Sequence, residues 1–232
     1  MAAEPLVLLP GMMCDARLFG PQINAFSHER AVMVAPMNAH DTVAALAADV
    51  LAAAPARFAL AGLSMGGIVA MEVIRRAPDR VTRLALLDTN ALSEAPEVAA
   101  RREPQIAAAR AGWLTQVMRD EMKPNYLAPG PGRGPVLDLV LDMATALGPE
   151  VFVAQSRALQ TRPDQQETLR GVSIPALILC GEHDTLCPVS RHELMARLMP
   201  HATLTVVPDA GHLPTLEQPD AVNAALERFL TA

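Results

Sequence analysis

Six short apolar runs recur along the chain, and they limit the folds that it can adopt. The runs are aliphatic and β-branched throughout and do not alternate with polar residues. This pattern is typical of strands that are covered on both faces, so it predicts a parallel sheet. The six runs lie at residues 6–10, 31–36, 57–62, 83–88, 176–181 and 203–208.

Segments with helical spacing fill most of the gaps between these runs. The stretch 43–54 follows Asp41 and Thr42, either of which can cap a helix. A second helical stretch opens at Ser64 and ends before Pro78. Strand–helix–strand units of this length predict an α/β fold with a doubly wound, mostly parallel sheet of about six strands.

The interval 91–171 interrupts this alternation. It has a segment dense in proline and glycine at 123–135. Helix-like stretches occupy 97–117, 135–147 and 150–159. We therefore predict a core made of residues 1–90 and 172–232, with residues 91–171 inserted as a helical cap or lid.

Composition narrows the class of protein. The chain has 232 residues, of which 51% are hydrophobic, enough for one domain with a substantial core. A net charge of −6 argues against a nucleic-acid partner. No apolar run is long enough for a membrane span, and no signal peptide is expected before Leu6, so a cytoplasmic protein is predicted. Three cysteines without metal-like spacing predict neither a disulfide framework nor a zinc site.

The stretch from Gly62 to Gly66 reads G-x-S-x-G, with Ser64 at its centre. It follows one strand-like run and precedes a helical stretch, which is the context of a nucleophile elbow. Glycines on both sides of the serine would allow the tight turn that such an elbow needs. The competing interpretation is a helix-capping serine with glycines for packing.

A serine nucleophile needs a base and a carboxylate. His212 differs from the other five histidines because it lies shortly after the run 203–208 and just before the last helical stretch. Asp184 lies shortly after the run 176–181. Carboxyl ends of parallel strands meet at one edge of a sheet, so His212 is the predicted base and Asp184 the predicted acid. Asp88, which also ends a run, is the alternative acid.

An acyl-transfer site also needs backbone N–H groups that bind the oxyanion. We expect one from Met65, directly after the serine, and the other from Met12 in the glycine-containing loop after the first run, with Met13 the next choice. Side chains expected in the substrate pocket are Met13, Trp113, Tyr126 and Leu213.

Four segments together resemble the α/β-hydrolase superfamily, in its order and at similar separations. They are LLPGMMCDARLF (8–19), AGLSMGGIVA (61–70), CGEHDTLCP (180–188) and DAGHLPTLEQP (209–219). The resemblance covers about 5–90 and 172–231, and it implies a Ser64–His212–Asp184 triad beneath a cap that shapes the pocket. The chain departs from many relatives at Pro10, where they have histidine, and it lacks the antiparallel strands that open larger members.

The resemblance implies a serine hydrolase that cleaves a carboxylic ester or lactone with a small or medium acyl group. The chain looks most like small capped esterases, enol-lactonases and carrier-protein methyl ester esterases. No metal and no organic cofactor is implied. Alternatives are a C–C bond hydrolase or a cofactor-free perhydrolase with the same triad, and a non-catalytic ligand receptor on the same fold.

Basic residues are concentrated in the predicted cap although the protein as a whole is acidic. Two partners would suit such a cluster: an anionic substrate or an acidic carrier protein. A solvated helix face is the alternative explanation. The residues concerned are Arg101, Arg102, Arg110, Arg119, Lys123 and Arg133.

Overall fold

A computed structural model describes residues 3–130 and 132–231 of the chain. Six strands form one sheet in the order β2-β1-β3-β4-β5-β6, and every neighbouring pair is parallel. The prediction of an α/β fold with a six-stranded parallel sheet is therefore confirmed. The strands are β1 (Leu6–Leu9), β2 (Val32–Val34), β3 (Phe58–Leu63), β4 (Val81–Leu87), β5 (Ala176–Gly181) and β6 (Thr203–Val207).

Helices follow the strands and pack on the sheet. Among them, α1 (Gly20–Phe26) packs against α10 (Pro219–Thr231), and α2 (Val43–Ala53) packs against α3 (Met65–Arg76). Thr42 caps α2 by accepting a hydrogen bond from the Ala45 N–H at 3.2 Å. The other helices are α4 (Pro96–Ala108), α5 (Leu114–Gln116), α6 (Arg133–Gln160), α7 (Gln166–Arg170), α8 (Val189–Leu198) and α9 (Pro214–Glu217). No helix within these described residues is both long and apolar enough to cross a bilayer.

The edge strand β6 differs from the sequence expectation. Leu204 and Val206 were expected beneath a covering layer, but they are 36% and 40% exposed. The physical reason is position, because β6 lies at the edge of the sheet and pairs only with β5. The inner strands β1, β3 and β5 are buried along their whole length, as their apolar sequences predict.

The segment between β4 and β5 is helical. In α6, Gly148 has a positive φ of 84° and divides the span into two helices, close to the predicted stretches 135–147 and 150–159. The single predicted helix 97–117 is wrong. Instead, α4 ends at Ala108 and wider π-helical turns follow, interrupted by Gly112 at a φ of 90°.

The helix α3 lies unusually close to the strands beneath it. A Cβ atom on Gly66 would lie 1.9 Å from the Leu9 carbonyl oxygen, and a Cβ on Gly62 would lie 2.3 Å from the Gly66 oxygen. These neighbours are backbone atoms, one in the buried strand β1 and one in the first turn of α3, so they have little room to move. Glycine at these two positions therefore allows the start of α3 to pack closely against β1.

Gly66→Ala is expected to lower the free energy of unfolding by more than about 3 kcal/mol, because a methyl group there overlaps the Leu9 carbonyl. Gly134→Ala is the matched control, since nothing lies within 4 Å of a Cβ at that site in α6. Urea denaturation followed by circular dichroism measures both variants. Equal midpoints for the two would contradict the close packing described.

Candidate active site

Ser64 occupies the sharp turn between β3 and α3. Its backbone has a φ of +56° and a ψ of −116°, which is a strained conformation for a residue with a side chain. Thr89, just after β4, donates its hydroxyl hydrogen to the Ser64 carbonyl at 2.7 Å. A Cβ on Gly67 would lie 2.6 Å from Thr89, so the first turn of α3 rests directly on this threonine. Thr89 thereby fixes the conformation of the turn.

The structure brings Ser64, His212 and Asp184 into one hydrogen-bonded chain. The Ser64 Oγ lies 2.9 Å from His212 Nε2. On the other side of the ring, His212 Nδ1 lies 2.8 Å from Asp184 Oδ2. This geometry favours the tautomer with hydrogen on Nδ1, which donates to the carboxylate and leaves Nε2 to accept the serine proton.

Asp184 is buried, yet its environment favours the charged carboxylate. Burial by itself would raise its pKa, but His212 and the N–H groups of Cys187 and Leu186 outweigh that effect, and the net pKa is lowered. The two N–H groups donate to Oδ1 at 2.9 and 2.8 Å. Both carboxylate oxygens are thus occupied, and the acid is held in one orientation toward the imidazole.

Asp88 is placed beside this chain and not within it. It is fully buried, and its Oδ1 accepts the Gly181 N–H at 2.8 Å. Burial, followed by the nearby charge of Asp184, raises its pKa well above the usual range. Within the described residues His212 hydrogen-bonds to Asp184, whereas Asp88 bonds to the Gly181 N–H, so the geometry favours Asp184 over the alternative acid.

Two backbone N–H groups near Ser64 are available to an oxyanion. Among residues 3–130 and 132–231, the Met12 and Met65 N–H groups have no hydrogen-bond acceptor. The Met13 N–H, the second choice from sequence, is occupied: it donates to Gln155 Oε1 at 2.8 Å. Gln155, on α6, also donates to the Met37 carbonyl at 2.6 Å. A buried glutamine of the helical insertion therefore fixes the loop that carries Met12.

Buried His192 on α8 supports the turn from further away. Its Nε2 accepts the Thr89 N–H at 3.1 Å, so hydrogen sits on Nδ1, which lies 3.3 Å from the Pro188 carbonyl. Burial is the main cause that lowers its pKa to about 4. His192 is thus neutral and holds Thr89, which in turn holds Ser64. Nothing in the sequence distinguished this histidine from an ordinary helix residue.

Glu217 at the end of α9 joins the histidine loop to the insertion. Its carboxylate accepts the N–H groups of Gly211, Leu213 and Ala128 at 2.9, 3.0 and 2.8 Å. In addition, the His212 N–H donates to the Tyr126 carbonyl at 2.6 Å. The sequence reading missed Glu217, because a glutamate near a histidine has no spacing that reveals which amides it will bind.

A cavity of about 650 Å³ opens above Ser64 and His212. Its wall includes Met12 and two of the residues predicted for the pocket, Tyr126 and Leu213. Two predicted pocket residues lie elsewhere. Trp113 is 56% exposed and outside the cavity wall, because Gly112 turns the chain there. Met13 is fully buried in the core and does not reach the cavity.

The basic residues of the insertion do not form a single surface. Arg101 and Arg102 line the cavity. Arg119 is exposed beside Asp120, and Arg133 donates to the carbonyls of Leu127 and Pro124. Arg110 is exposed as well, whereas the side chain of Lys123 lies outside the described parts. The concentration of charge that the sequence suggested is therefore divided between the cavity and the outer surface.

One group of possible metal ligands exists among the described residues: Asp184, Cys187 and His212. Burial, followed by the charge of Asp184, raises the pKa of the Cys187 thiol well above its usual value, so a thiolate ligand is disfavoured. His212 Nδ1 and Asp184 already bind each other. These donors fit a proton-transfer chain better than a cation.

The sequence and the fold are similar to those of known proteins. The Alpha/beta hydrolase family matches residues 6–225, and the chain belongs to that family. The chain is 24% identical to the pimeloyl-[acyl-carrier protein] methyl ester esterase of Aliivibrio salmonicida, with 97% of this chain and 91% of that protein aligned. Two other curated relatives are longer, and the chain covers 45% and 33% of their lengths.

Two solved structures are similar over nearly the whole chain. An esterase from Thermogutta terrifontis superposes with a TM-score of 0.90 at 29% identity, covering 99% of this chain and 90% of that one. The enol-lactonase from Burkholderia xenovorans LB400 superposes with a TM-score of 0.89 at 26% identity, covering 99% and 92%.

Because His192 is buried, we expect the free energy of unfolding to fall in mild acid. Its pKa is lowered to about 4 in the folded state, so between pH 6.5 and 4 the unfolded chain binds a proton that the folded chain excludes. Stability from this residue is therefore present above pH 6.5 and falls by about 2 kcal/mol on going to pH 5. Urea denaturation of the parent and His192→Gln at pH 7.5 and 5.0 measures it.

The variant should lose less stability than the parent over the same pH interval. His28→Gln is the matched control, since His28 is exposed at the protein surface, and it should follow the parent. A His192→Gln profile that parallels the parent would contradict the assignment of a neutral, buried imidazole.

Proposed function

We propose that this protein is a serine hydrolase that cleaves a carboxylic ester or a lactone through an acyl-enzyme. The observation that carries the proposal is the chain of contacts from Ser64 Oγ to His212 Nε2 at 2.9 Å and from His212 Nδ1 to Asp184 Oδ2 at 2.8 Å. Family membership and the esterases and enol-lactonase among similar proteins support the reaction class.

The contacts give each residue a role in acyl transfer. Ser64 Oγ bonds to the ester carbonyl carbon while its proton passes to His212 Nε2. The carbonyl electrons move to oxygen, and the free N–H groups of Met12 and Met65 bind that oxyanion. Asp184 stabilises the imidazolium. His212 then gives its proton to the leaving alkoxide as the carbon–oxygen bond breaks, and water repeats the sequence on the acyl-enzyme.

The helical insertion supplies the pocket in this proposal. Residues 91–171 act as the cap, and its Tyr126 and Met122 line the cavity together with Leu213. A cavity of about 650 Å³ accommodates a small or medium acyl group. The cytoplasmic location expected from the sequence stays a prediction.

A carrier-protein ester is a second candidate substrate. The similarity to a pimeloyl-[acyl-carrier protein] methyl ester esterase favours it. Exposed Arg110 and Arg119 on the insertion would be the basic residues open to an acidic carrier. A rise in KM with salt for a carrier-linked ester, and none for a neutral ester, would support this substrate.

Hydrolysis of p-nitrophenyl acetate and butyrate tests the proposal. Ser64→Ala is expected to lower kcat/KM by at least about 1,000-fold, because the attacking oxygen is removed. Asp184→Asn should lower it by about 100-fold or more, since the amide favours the wrong imidazole tautomer. Asp88→Asn should stay within about threefold of the parent, because the asparagine oxygen can still accept the Gly181 N–H and His212 keeps its bond to Asp184.

A Ser64→Ala variant as fast as the parent would contradict the proposal. A parent that cleaves dicarbonyl ketones faster than esters would indicate C–C bond hydrolysis instead. Bromination that depends on acetate and peroxide would indicate perhydrolase chemistry. A larger loss in Asp88→Asn than in Asp184→Asn would reverse the roles of the two acids.

A further inference from the structure

We propose that the cavity above Ser64 contains an anion subsite, formed by Arg102, Arg162 and Arg191, that selects esters carrying a carboxylate. This inference rests on the proposed function, since it names the substrate class for the same reaction. Only Arg102 of these three residues belonged to the basic cluster recognised in the sequence. Arg162 follows the insertion's last long helix, and Arg191 lies in α8.

Two of the three guanidinium groups share one buried carboxylate. Glu94 is 1% exposed and lies 2.8 Å from Arg102 and 2.9 Å from Arg162, which are 15% and 13% exposed. The Arg162 Nε also donates to the Leu92 carbonyl at 3.1 Å. These contacts hold both arginines rigidly at the cavity wall, so ordering them costs little when a ligand binds.

Arg191 adds a charge that no carboxylate of the described chain neutralises. Its side chain lines the cavity and has no ion-pair or hydrogen-bond partner within residues 3–130 and 132–231. It is close enough to Arg162 to act on it. Burial lowers the pKa of Arg162, Glu94 opposes this, and the charges of Arg102 and Arg191 lower the pKa further. The cavity wall therefore carries these three guanidinium groups and two carboxylates: Glu94, which pairs with Arg102 and Arg162, and Glu121, which accepts a hydrogen bond from Gln105.

The first turn of α8 forms part of the same wall. Cys187, Pro188 and Arg191 line the cavity, and α8 begins at Val189 with no side chain capping its N-terminus. The N-terminal end of a helix carries partial positive charge, so it adds to the field of the arginines. The field is strongest in a partly enclosed, weakly polarisable site such as this one.

The subsite is close to the reacting centre. The Arg102 Nη1 lies 3.7 Å from the Sδ of Met12, the residue whose N–H is proposed to bind the oxyanion. About the length of one methionine side chain thus separates Arg102 from the proposed position of the acyl carbonyl. An ester with a carboxylate a few bonds from its carbonyl carbon would reach both sites at once, from either the acyl or the alcohol side.

Two pairs of esters test the inference and distinguish these sides. Monomethyl glutarate against dimethyl glutarate places the carboxylate on the acyl side. 3-Acetoxypropanoate against its methyl ester places it on the alcohol side. The parent should prefer the anion in at least one pair, and Arg191→Gln should lower the ratio of kcat/KM values, anionic over neutral, about tenfold in that pair. Arg197→Gln, an exposed position on the same helix, should change neither ratio.

Competitive inhibition by glutarate gives a second readout that needs only p-nitrophenyl butyrate hydrolysis. The inhibition constant should rise about tenfold in Arg191→Gln and stay unchanged in Arg197→Gln. Unchanged ratios and an unchanged inhibition constant in Arg191→Gln would overturn the subsite. Ser64→Ala separates the two proposals: if it abolishes hydrolysis while Arg191→Gln has no selective effect, the serine hydrolase proposal stands and the subsite does not.

Discussion

The strained turn at Ser64 is the constraint on which the rest of the site depends. A serine with a φ of +56° is stable there only because α3 can approach the sheet, and Gly62 and Gly66 permit an approach that any side chain would block. Two hydrogen bonds stabilise this strained conformation: buried His192 accepts the Thr89 N–H, and the Thr89 hydroxyl donates to the Ser64 carbonyl. A residue remote from the cavity thus takes part in positioning the hydroxyl.

The helical insertion hydrogen-bonds to two loops of the site, the loop that carries Met12 and the loop that carries His212. Gln155 of α6 holds the loop that carries Met12, and the Tyr126 carbonyl accepts the His212 N–H. Glu217 joins the two parts again by binding amides on both sides. Each contact involves a backbone group next to a proposed catalytic residue. Displacement of the insertion would therefore disturb the acyl-transfer geometry as well as the pocket, which links substrate binding to the alignment of the triad in this account.

The sequence predicts those parts of the fold and the site that depend on neighbouring residues, and it misses those that depend on residues far apart in the chain. The strands, the turn at Ser64 and the strand-end positions of Asp184 and His212 follow from local patterns and from the geometry of parallel sheets. The preference for Asp184 over Asp88 is a matter of burial and of which amides each carboxylate meets. The prediction that Trp113 lines the pocket is wrong, because the backbone turn at Gly112 directs this side chain away from the cavity. Gln155 and Glu217 act through amides far away in the chain, and Arg191 acts through a cavity wall built from distant segments. A single sequence does not reveal either.

The most direct test of the account is covalent labelling of the intact protein with a fluorophosphonate, followed by mass spectrometry of its peptides. The account predicts one adduct, on Ser64, and far slower labelling of His212→Asn, because the histidine that accepts the serine proton is lost. Absence of labelling in the folded parent, or an adduct on a different residue, would contradict the assignment of Ser64 as an activated nucleophile.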